Sequence, residues 1–249
     1  MEQNKIYQGD CLEVMKEIED KSVDMILCDL PYGTTACSWD TIIPLDKLWE
    51  QYKRIIKDNG AIVLTASQPF TSILINSNIR DFKYCWIWKK TRPSLSIHCN
   101  KMPLNDYEDI VVFYKVLPNY NPQMSECKRV IEKERTINAT KVFANSIRKR
   151  TFDNKGLSYP RRIIEFSNPN NNNFHPTQKP IALFEYLIKT YTNKGMLVLD
   201  NCIGSGTTAV ACIKTNRNFI GIELSPEYCE IANRRINEVK KQTTLAVRE

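Results

Sequence analysis

The stretch LVLDNCIGSGTTAVACI, residues 197–213, decides the fold. It opens on an apolar run that ends in Asp200, turns through Gly204 and Gly206, and continues into the small and apolar residues of a helix start. An apolar run without polar alternation is a strand buried on both faces, and such strands belong to parallel sheets covered by helices. The glycines permit a sharp turn and close backbone approach, and the helix beyond them offers unpaired N–H groups to a carboxylate or phosphate. The sequence has no GxGxxG and no phosphate-loop lysine, so neither a dinucleotide nor a triphosphate is favoured. Taken alone, a glycine turn that merely packs a helix on a sheet explains the stretch equally well.

Two further runs share its character. Phe219 to Ile222 ends at Glu223, at about the distance used to hold ribose hydroxyls in doubly wound folds, and Met25 to Cys28 ends at Asp29. After Ser225 and Pro226 come Tyr228, Ile231, Ala232, Ile236 and Val239 at helical spacing. Leu45, Leu48, Trp49, Tyr52, Ile55 and Ile56 predict another helix, stopping at Asn59-Gly60. Strands are expected over 61–66, 83–90 and 107–115. Strands alternating with helices predict an α/β protein with a doubly wound, mostly parallel sheet.

The rhythm breaks over residues 116–174, which carry four prolines and the run SNPNNNNF. That segment holds eleven basic residues against five acidic ones, so it contains nearly all of the formal net charge of +7. It reads as an insertion with flexible edges, or as a solvated surface excursion without a partner. Nine scattered cysteines with no CxxC pair suit a reducing compartment, and two histidines argue against structural zinc. No apolar run approaches the ~20 residues that span a bilayer, and the N-terminus MEQNKIYQGD has no secretory pattern, so a cytoplasmic protein without a membrane partner is expected.

In open α/β sheets ligands bind at the carboxyl ends of the strands, so Asp29, Asp200 and Glu223 should converge on one crevice. The segment Asp29-Leu30-Pro31-Tyr32 fixes a turn that presents a carboxylate, main-chain carbonyls and an aromatic face. An exocyclic amino group on a base fits such acceptors while its ring stacks on Tyr32. The amino lone pair is delocalised into the heterocycle, and acceptors holding both N–H bonds favour a more tetrahedral, reactive nitrogen. The competing reading is a strand-terminating turn whose Asp caps nearby backbone; beside the glycine turn and Glu223, the functional reading takes most of the weight.

The ordered motifs DLPYG, HPTQKP, LDNCIGSGTT and FIGIELSPEY resemble those of the β class of S-adenosylmethionine-dependent DNA amino-methyltransferases. They bracket the chain from Asp29 to Tyr228, and their order matches that family's circularly permuted sheet with an inserted target-recognition region. The resemblance implies a catalytic part over 1–115, a basic recognition insertion over 116–174 and a cofactor-binding part over 175–249. It assigns Asp29, the Leu30 carbonyl, Pro31 and Tyr32 to the target amino group and base. Asp200, Gly204, Ser205, Gly206, Thr207 and Thr208 would hold the methionine part of the cofactor, with Thr177, Gln178 and Lys179 near its carboxylate end and Glu223 at the ribose. Asp10 matches the position facing the adenine, on a strand that would lie beside the one ending in Glu223; a helix N-cap before residues 11–18 is at least as good a reading. Leu30 replaces the motif's usual first proline, and Cys202 stands where phenylalanine is common.

The resemblance further implies methyl transfer by direct displacement to N6 of adenine in DNA, with N4 of cytosine as runner-up, and pairing as a homodimer. A protein-glutamine methyltransferase and a non-catalytic DNA-binding module are weaker readings, the first because motif order and the insertion argue against it. A base in a duplex must be flipped out for such chemistry, and double-stranded DNA is favoured over single-stranded. Arg148, Lys149 and Arg150, with Arg161 and Arg162, are the candidate phosphate contacts, and the interleaved aromatics Tyr120, Phe143, Phe152 and Tyr159 are read as insertion core in preference to wedges.

Overall fold

The computed structural model describes residues 1–34, 40–94, 99–127, 132–137, 148–153, 156–169 and 178–246. Contacts divide the chain into a larger unit, Met1–Asn121 with Arg162–Glu249, and a smaller one, Pro122–Arg161.

The larger unit begins with β1 (Lys5–Gln8), α1 (Cys11–Val14), β2 (Val23–Asp29), α2 (Leu45–Ile55), β3 (Ile56–Ala66), α3 (Phe70–Ser77), β4 (Phe82–Ser94) and β5 (Asn105–Phe113). The smaller unit contains β6 (Ser125–Glu126), β7 (Glu132–Ile137), β8 (Arg148–Asp153) and β9 (Leu157–Ser158), paired antiparallel as β6 with β9 and β7 with β8. The larger unit resumes with β10 (Ile163–Phe166), α4 (Ile181–Tyr191), β11 (Leu197–Asp200), α5 (Thr207–Lys214), β12 (Asn218–Glu223) and α6 (Pro226–Ala246).

Eight strands form the main sheet in the order β1-β12-β11-β2-β3-β5-β4-β10. All its pairings are parallel except those of β5, which runs against both β3 and β4. The sheet is therefore doubly wound and mostly parallel, as the apolar runs predict. Alternation within those runs sorts the core: Ile26, Cys28, Ile62 and Leu64 pack with α2 and α3 on one face, while Met25, Leu27, Ala61 and Val63 join the cluster containing α4 and α5 on the other. Both faces are covered, which is why the stretches Met25–Cys28 and Ala61–Leu64 are continuously apolar.

Two boundaries differ from the sequence expectation. β3 begins at Ile56, because Ile56 pairs with Val23 before the register shifts and resumes at Met25–Ala61; Lys57–Gly60 is looped out of the ladder instead of ending the helix. The smaller unit is also shorter than 116–174, because Ile163–Phe166 adds an edge strand to the main sheet beside β4.

Candidate active site

β12, β11 and β2 are neighbours, all parallel, and end in Glu223, Asp200 and Asp29. Their common polarity gathers the three carboxylates at one end of the sheet. β1 joins the same end, with Gln8 in register with Glu223, so the following Gly9 and Asp10 reach the crevice too. A cavity of about 840 Å³ opens there, lined among others by Asp10, Asp29, Leu30, Cys202, Gly204 and Glu223. A neighbouring recess of about 40 Å³ is lined by Asp29, Gln178, Lys179, Asp200, Ser205, Thr207 and Thr208.

Each carboxylate is treated differently. Glu223 accepts hydrogen bonds from the Gly204 N–H at 2.8 Å through Oε2 and from the Ser225 N–H at 2.9 Å through Oε1. Asp200 is buried and accepts from the Thr208 hydroxyl and, at 3.1 Å, from the Cys202 N–H. Burial, the largest influence, raises its carboxyl to about 7, against the pull of the Thr208 and Cys202 bonds. Asp10 caps α1 by accepting from the Leu12 N–H at 2.8 Å while also lining the large cavity. The N-cap reading of Asp10 is thus observed.

Asp29 is held on three sides. Lys179 Nζ donates to Oδ2 at 2.6 Å, the Thr65 hydroxyl donates to Oδ1, and the Tyr32 hydroxyl lies 2.8 Å from Oδ1 and 3.0 Å from Thr65 Oγ1. A carboxylate offers about four lone-pair positions, so at least one remains open. Register places Thr65 there, since β3 sets it directly opposite Asp29. Burial first, and then the Asp29 and Glu108 charges, push the Tyr32 phenol well above its ordinary range, so it remains a donor. Its ring stacks on Phe70 with centroids 5.4 Å apart, and the Gly33 and Thr34 N–H groups both donate to the buried Asp40 carboxylate, fixing the turn that follows.

The glycine turn is built as much for packing as for a ligand. Gly206 stands at φ 86°, and a Cβ there would lie 2.9 Å from the Ala232 Cβ of α6. Gly204, at φ 51°, is the turn residue that reaches the large cavity. Arg235 of α6 braces the turn by donating to the Ser205 carbonyl at 2.5 Å and to its hydroxyl at 2.9 Å. Ser205 Oγ in turn donates to Gln178 Oε1 at 3.4 Å.

The structure thus brings together Asp10, Asp29, Leu30, Pro31, Gly204 and Glu223 on the large cavity, and Gln178, Ser205, Thr207 and Thr208 on the small recess. Lys179 lines the small recess beside Gln178, and its ammonium pairs with Asp29 at 2.6 Å, because a buried lysine needs a carboxylate partner. Thr177 lies outside the described residues. Of the basic candidates, Arg148, Lys149 and Arg150 fall on β8, Arg161 is exposed, and Arg162 sits with its guanidinium 5.5 Å from the Tyr84 ring while its carbonyl accepts from the Ile87 N–H in the main sheet. Thr65, Asp40, Glu108 and Arg235 belong to none of the sequence motifs; the register of β3 against β2 is what sets Thr65 opposite Asp29. Among the described residues no cluster of His, Cys, Asp and Glu is arranged to hold a metal ion.

A family described as DNA methylase matches residues 23–234. The chain belongs to this DNA methylase family. The methylase is 28% identical over 94% of its length to type II methyltransferase M.HpaI of Haemophilus parainfluenzae, of which the match covers 74%. It is likewise 28% identical over 95% of its length to the DNA adenine methyltransferase YhdJ of Escherichia coli K12, covering 83% of that protein. Among solved structures, the M1.HpyAVI–SAM complex superposes with a TM-score of 0.62 at 27% identity, covering 93% of the methylase and 98% of that chain. The cytosine-N4-specific PvuII DNA methyltransferase shares the fold, with a TM-score of 0.67 at 18% identity over 95% of the methylase and 89% of that chain.

Proposed function

We propose that this DNA methylase transfers a methyl group from S-adenosylmethionine to the N6 amino group of adenine in double-stranded DNA, in the cytoplasm. The observation that carries the reading is Asp29: a carboxylate held from three sides with an acceptor position left open, on the wall of a cavity whose far side carries Glu223 and Gly204. The adenine-methylating relative YhdJ and the SAM-bound neighbour M1.HpyAVI support the choice of base and cofactor.

The residues present fit the cofactor. Glu223 is fixed by two backbone N–H groups, Asp10 stands on the neighbouring strand end, and the 840 Å³ cavity between them has room for a nucleoside. Glu223 would hold the ribose hydroxyls, and Gly204 with Ser205, Gln178, Thr207 and Thr208 the methionine part. Asp200 would act at one remove, bracing this turn through Cys202 and Thr208. S-adenosylmethionine, when bound, supplies an electrophilic methyl group.

Asp29 and the Leu30 carbonyl accept the two N–H bonds of the target amino group, drawing its lone pair out of the heterocycle and toward the methyl donor. Pro31 fixes the turn, and Tyr32, held by Phe70 and by its hydroxyl, stacks on the base. The nitrogen would gain the methyl group as the donor's sulfur–methyl bond breaks, leaving the neutral thioether S-adenosylhomocysteine, and would release one proton to solvent. The basic unit around Arg148, Lys149, Arg150 and Arg161 supplies phosphate contacts for a flipped duplex substrate. Two copies pair as a homodimer.

The test is incubation of the purified protein with methyl-labelled S-adenosylmethionine and unmethylated double-stranded DNA, single-stranded DNA or RNA, followed by digestion and mass spectrometry of the labelled nucleoside. The expected product is N6-methyl-2′-deoxyadenosine from duplex DNA, absent with Asp29→Ala. Label in N4-methylcytosine would overturn the choice of base, and no label in any nucleic acid would overturn the enzyme reading.

A further inference from the structure

Glu108 is a charged side chain to which the catalytic reading gives no role. It stands near the start of β5, the strand of the main sheet that runs against its neighbours, and this reversal brings the beginning of β5 to the end of the sheet where β2 and β3 finish. Its Oε1 lies 2.8 Å from Lys90 Nζ of β4, and its Oε2 lies 3.3 Å from Lys179 Nζ. Oε2 is buried at ion-pair distance without an aligned hydrogen bond, and among the described residues it accepts none. Lys179 then meets Asp29 at 2.6 Å.

Four charges therefore alternate in a line, Lys90, Glu108, Lys179 and Asp29, with the lysine side chains only 8% and 6% exposed. Such an arrangement seldom contributes net stability, since apolar residues of similar volume commonly do as well or better. Its inner end is the acceptor of the target amino group, which gives it a functional reason.

We infer that Glu108 is a positioning residue for methyl transfer, holding the Lys179 ammonium against Asp29 so that the carboxylate meets the target amino group in one orientation. The inference rests on the reading of Asp29 as that acceptor. The groups facing Lys179 are Asp29 from β2, Glu108 from β5 and the Tyr32 ring, whose centroid is 5.6 Å from Nζ. Lys90 stands behind Glu108, and Thr65 and Asp200 stand around Asp29. Burial is the largest influence on Lys179 and pulls it down, but the Asp29 and Glu108 charges together outweigh it and hold it above the ordinary lysine range. Removing the Glu108 charge leaves burial opposed by Asp29 alone. The ammonium then loses its proton at lower pH, and with it Asp29 loses its fixed partner.

The experiment is the rate of DNA methylation against pH for the full chain and for Glu108→Gln, at saturating S-adenosylmethionine and DNA, with cofactor affinity measured by calorimetry. A nearby opposite charge moves a titration by about one to three pH units. The variant should therefore lose rate on the alkaline side about one to three pH units earlier than wild type, about tenfold per pH unit beyond the new limb, with KM and cofactor affinity within about twofold. Lys90→Met/Glu108→Gln removes the outer pair together and so leaves no lysine stranded in the interior; it should keep the displaced limb with wild-type thermal stability. A wild-type pH profile in either variant would overturn the inference, as would a loss of cofactor affinity equal to the loss of rate. A wild-type protein that methylates no nucleic acid would instead sink the underlying assignment of Asp29, so the two failures are distinguishable.

Discussion

Asp200→Asn separates the charge of Asp200 from its geometry. The side chain is 3% exposed, and burial lifts its carboxyl from the ordinary 3.8 to about 7, assisted by the nearby Asp29 charge and opposed by the Thr208 hydroxyl and the Cys202 amide. The unfolded chain releases this proton near 3.8 and the folded chain near 7, so between those values the folded state binds more protons. Stability therefore falls as pH rises across that window. At about 1.4 kcal/mol per pH unit, ionising Asp200 costs the fold about 4 kcal/mol once the window is passed. Asparagine keeps an oxygen for the Cys202 N–H and cannot ionise, while the Thr208 hydroxyl can rotate to accept from its amide. Urea unfolding of both proteins, followed by tryptophan fluorescence from about pH 4 to about pH 8, checks the difference between them, in which the other titrating groups cancel. The variant should gain about 4 kcal/mol relative to wild type over that range. Two curves that stay parallel would refute the reasoning and show that Asp200 is already ionised at the acid end.

Three further outcomes follow from the same geometry. Thr65→Val fills the same buried space but removes the hydroxyl shared by Asp29 and Tyr32; a hydrogen bond to a charged group is worth about 1.5–3 kcal/mol, so kcat should fall about 10- to 100-fold with cofactor affinity unchanged. Glu223→Gln leaves one oxygen to accept from the two backbone N–H groups, so one of those bonds is lost and the hold on ribose hydroxyls weakens; calorimetry should show cofactor Kd raised by about 10- to 100-fold while the fold persists. Gly206→Ala forces a side chain into a left-handed residue with Ala232 Cβ 2.9 Å away, and chemical unfolding should register a loss of about 2–4 kcal/mol.

Much of this site was legible because parallel strands advertise themselves twice. Burial on both faces makes β2, β11 and β12 continuous apolar runs, and burial also makes a terminal Asp or Glu conspicuous, since a carboxylate there needs a purpose. The residues that support those carboxylates carry no such mark. Thr65 reads as an ordinary β-branched strand residue until the β2–β3 register sets it opposite Asp29. Glu108 reads as the polar partner in the alternation of NDYED, because nothing in a linear pattern reveals that β5 runs backwards. Lys179 sits in a motif whose resemblance points toward the cofactor, yet the partner of a buried lysine is chosen by tertiary distance, here to a residue 150 positions away. Arg235 looks like a solvated helix residue until α6 packs on the glycine turn.

Three carboxylates at adjacent strand ends ought to repel one another, and the way each is neutralised follows from what it must still be able to do. Asp29 has to present an acceptor to an incoming amino group, so a lysine takes one oxygen and hydroxyls the other, and a lone pair stays open. Glu223 has to face a neutral, hydroxyl-bearing ligand, so two backbone N–H groups hold it without occupying it with a cation. Asp200, which lines only the narrow recess, is free to keep a proton near neutrality and serves the turn through Thr208 and Cys202. An ammonium at Asp200 would cancel the same charge but would stand beside the position proposed for the electrophilic methyl donor, where a second fixed cation opposes binding of a positively charged cofactor. The neutral treatment of Asp200 and the cationic treatment of Asp29 therefore belong together: both carboxylates line one recess, where a single ammonium fixes the target acceptor and a second would oppose the cofactor.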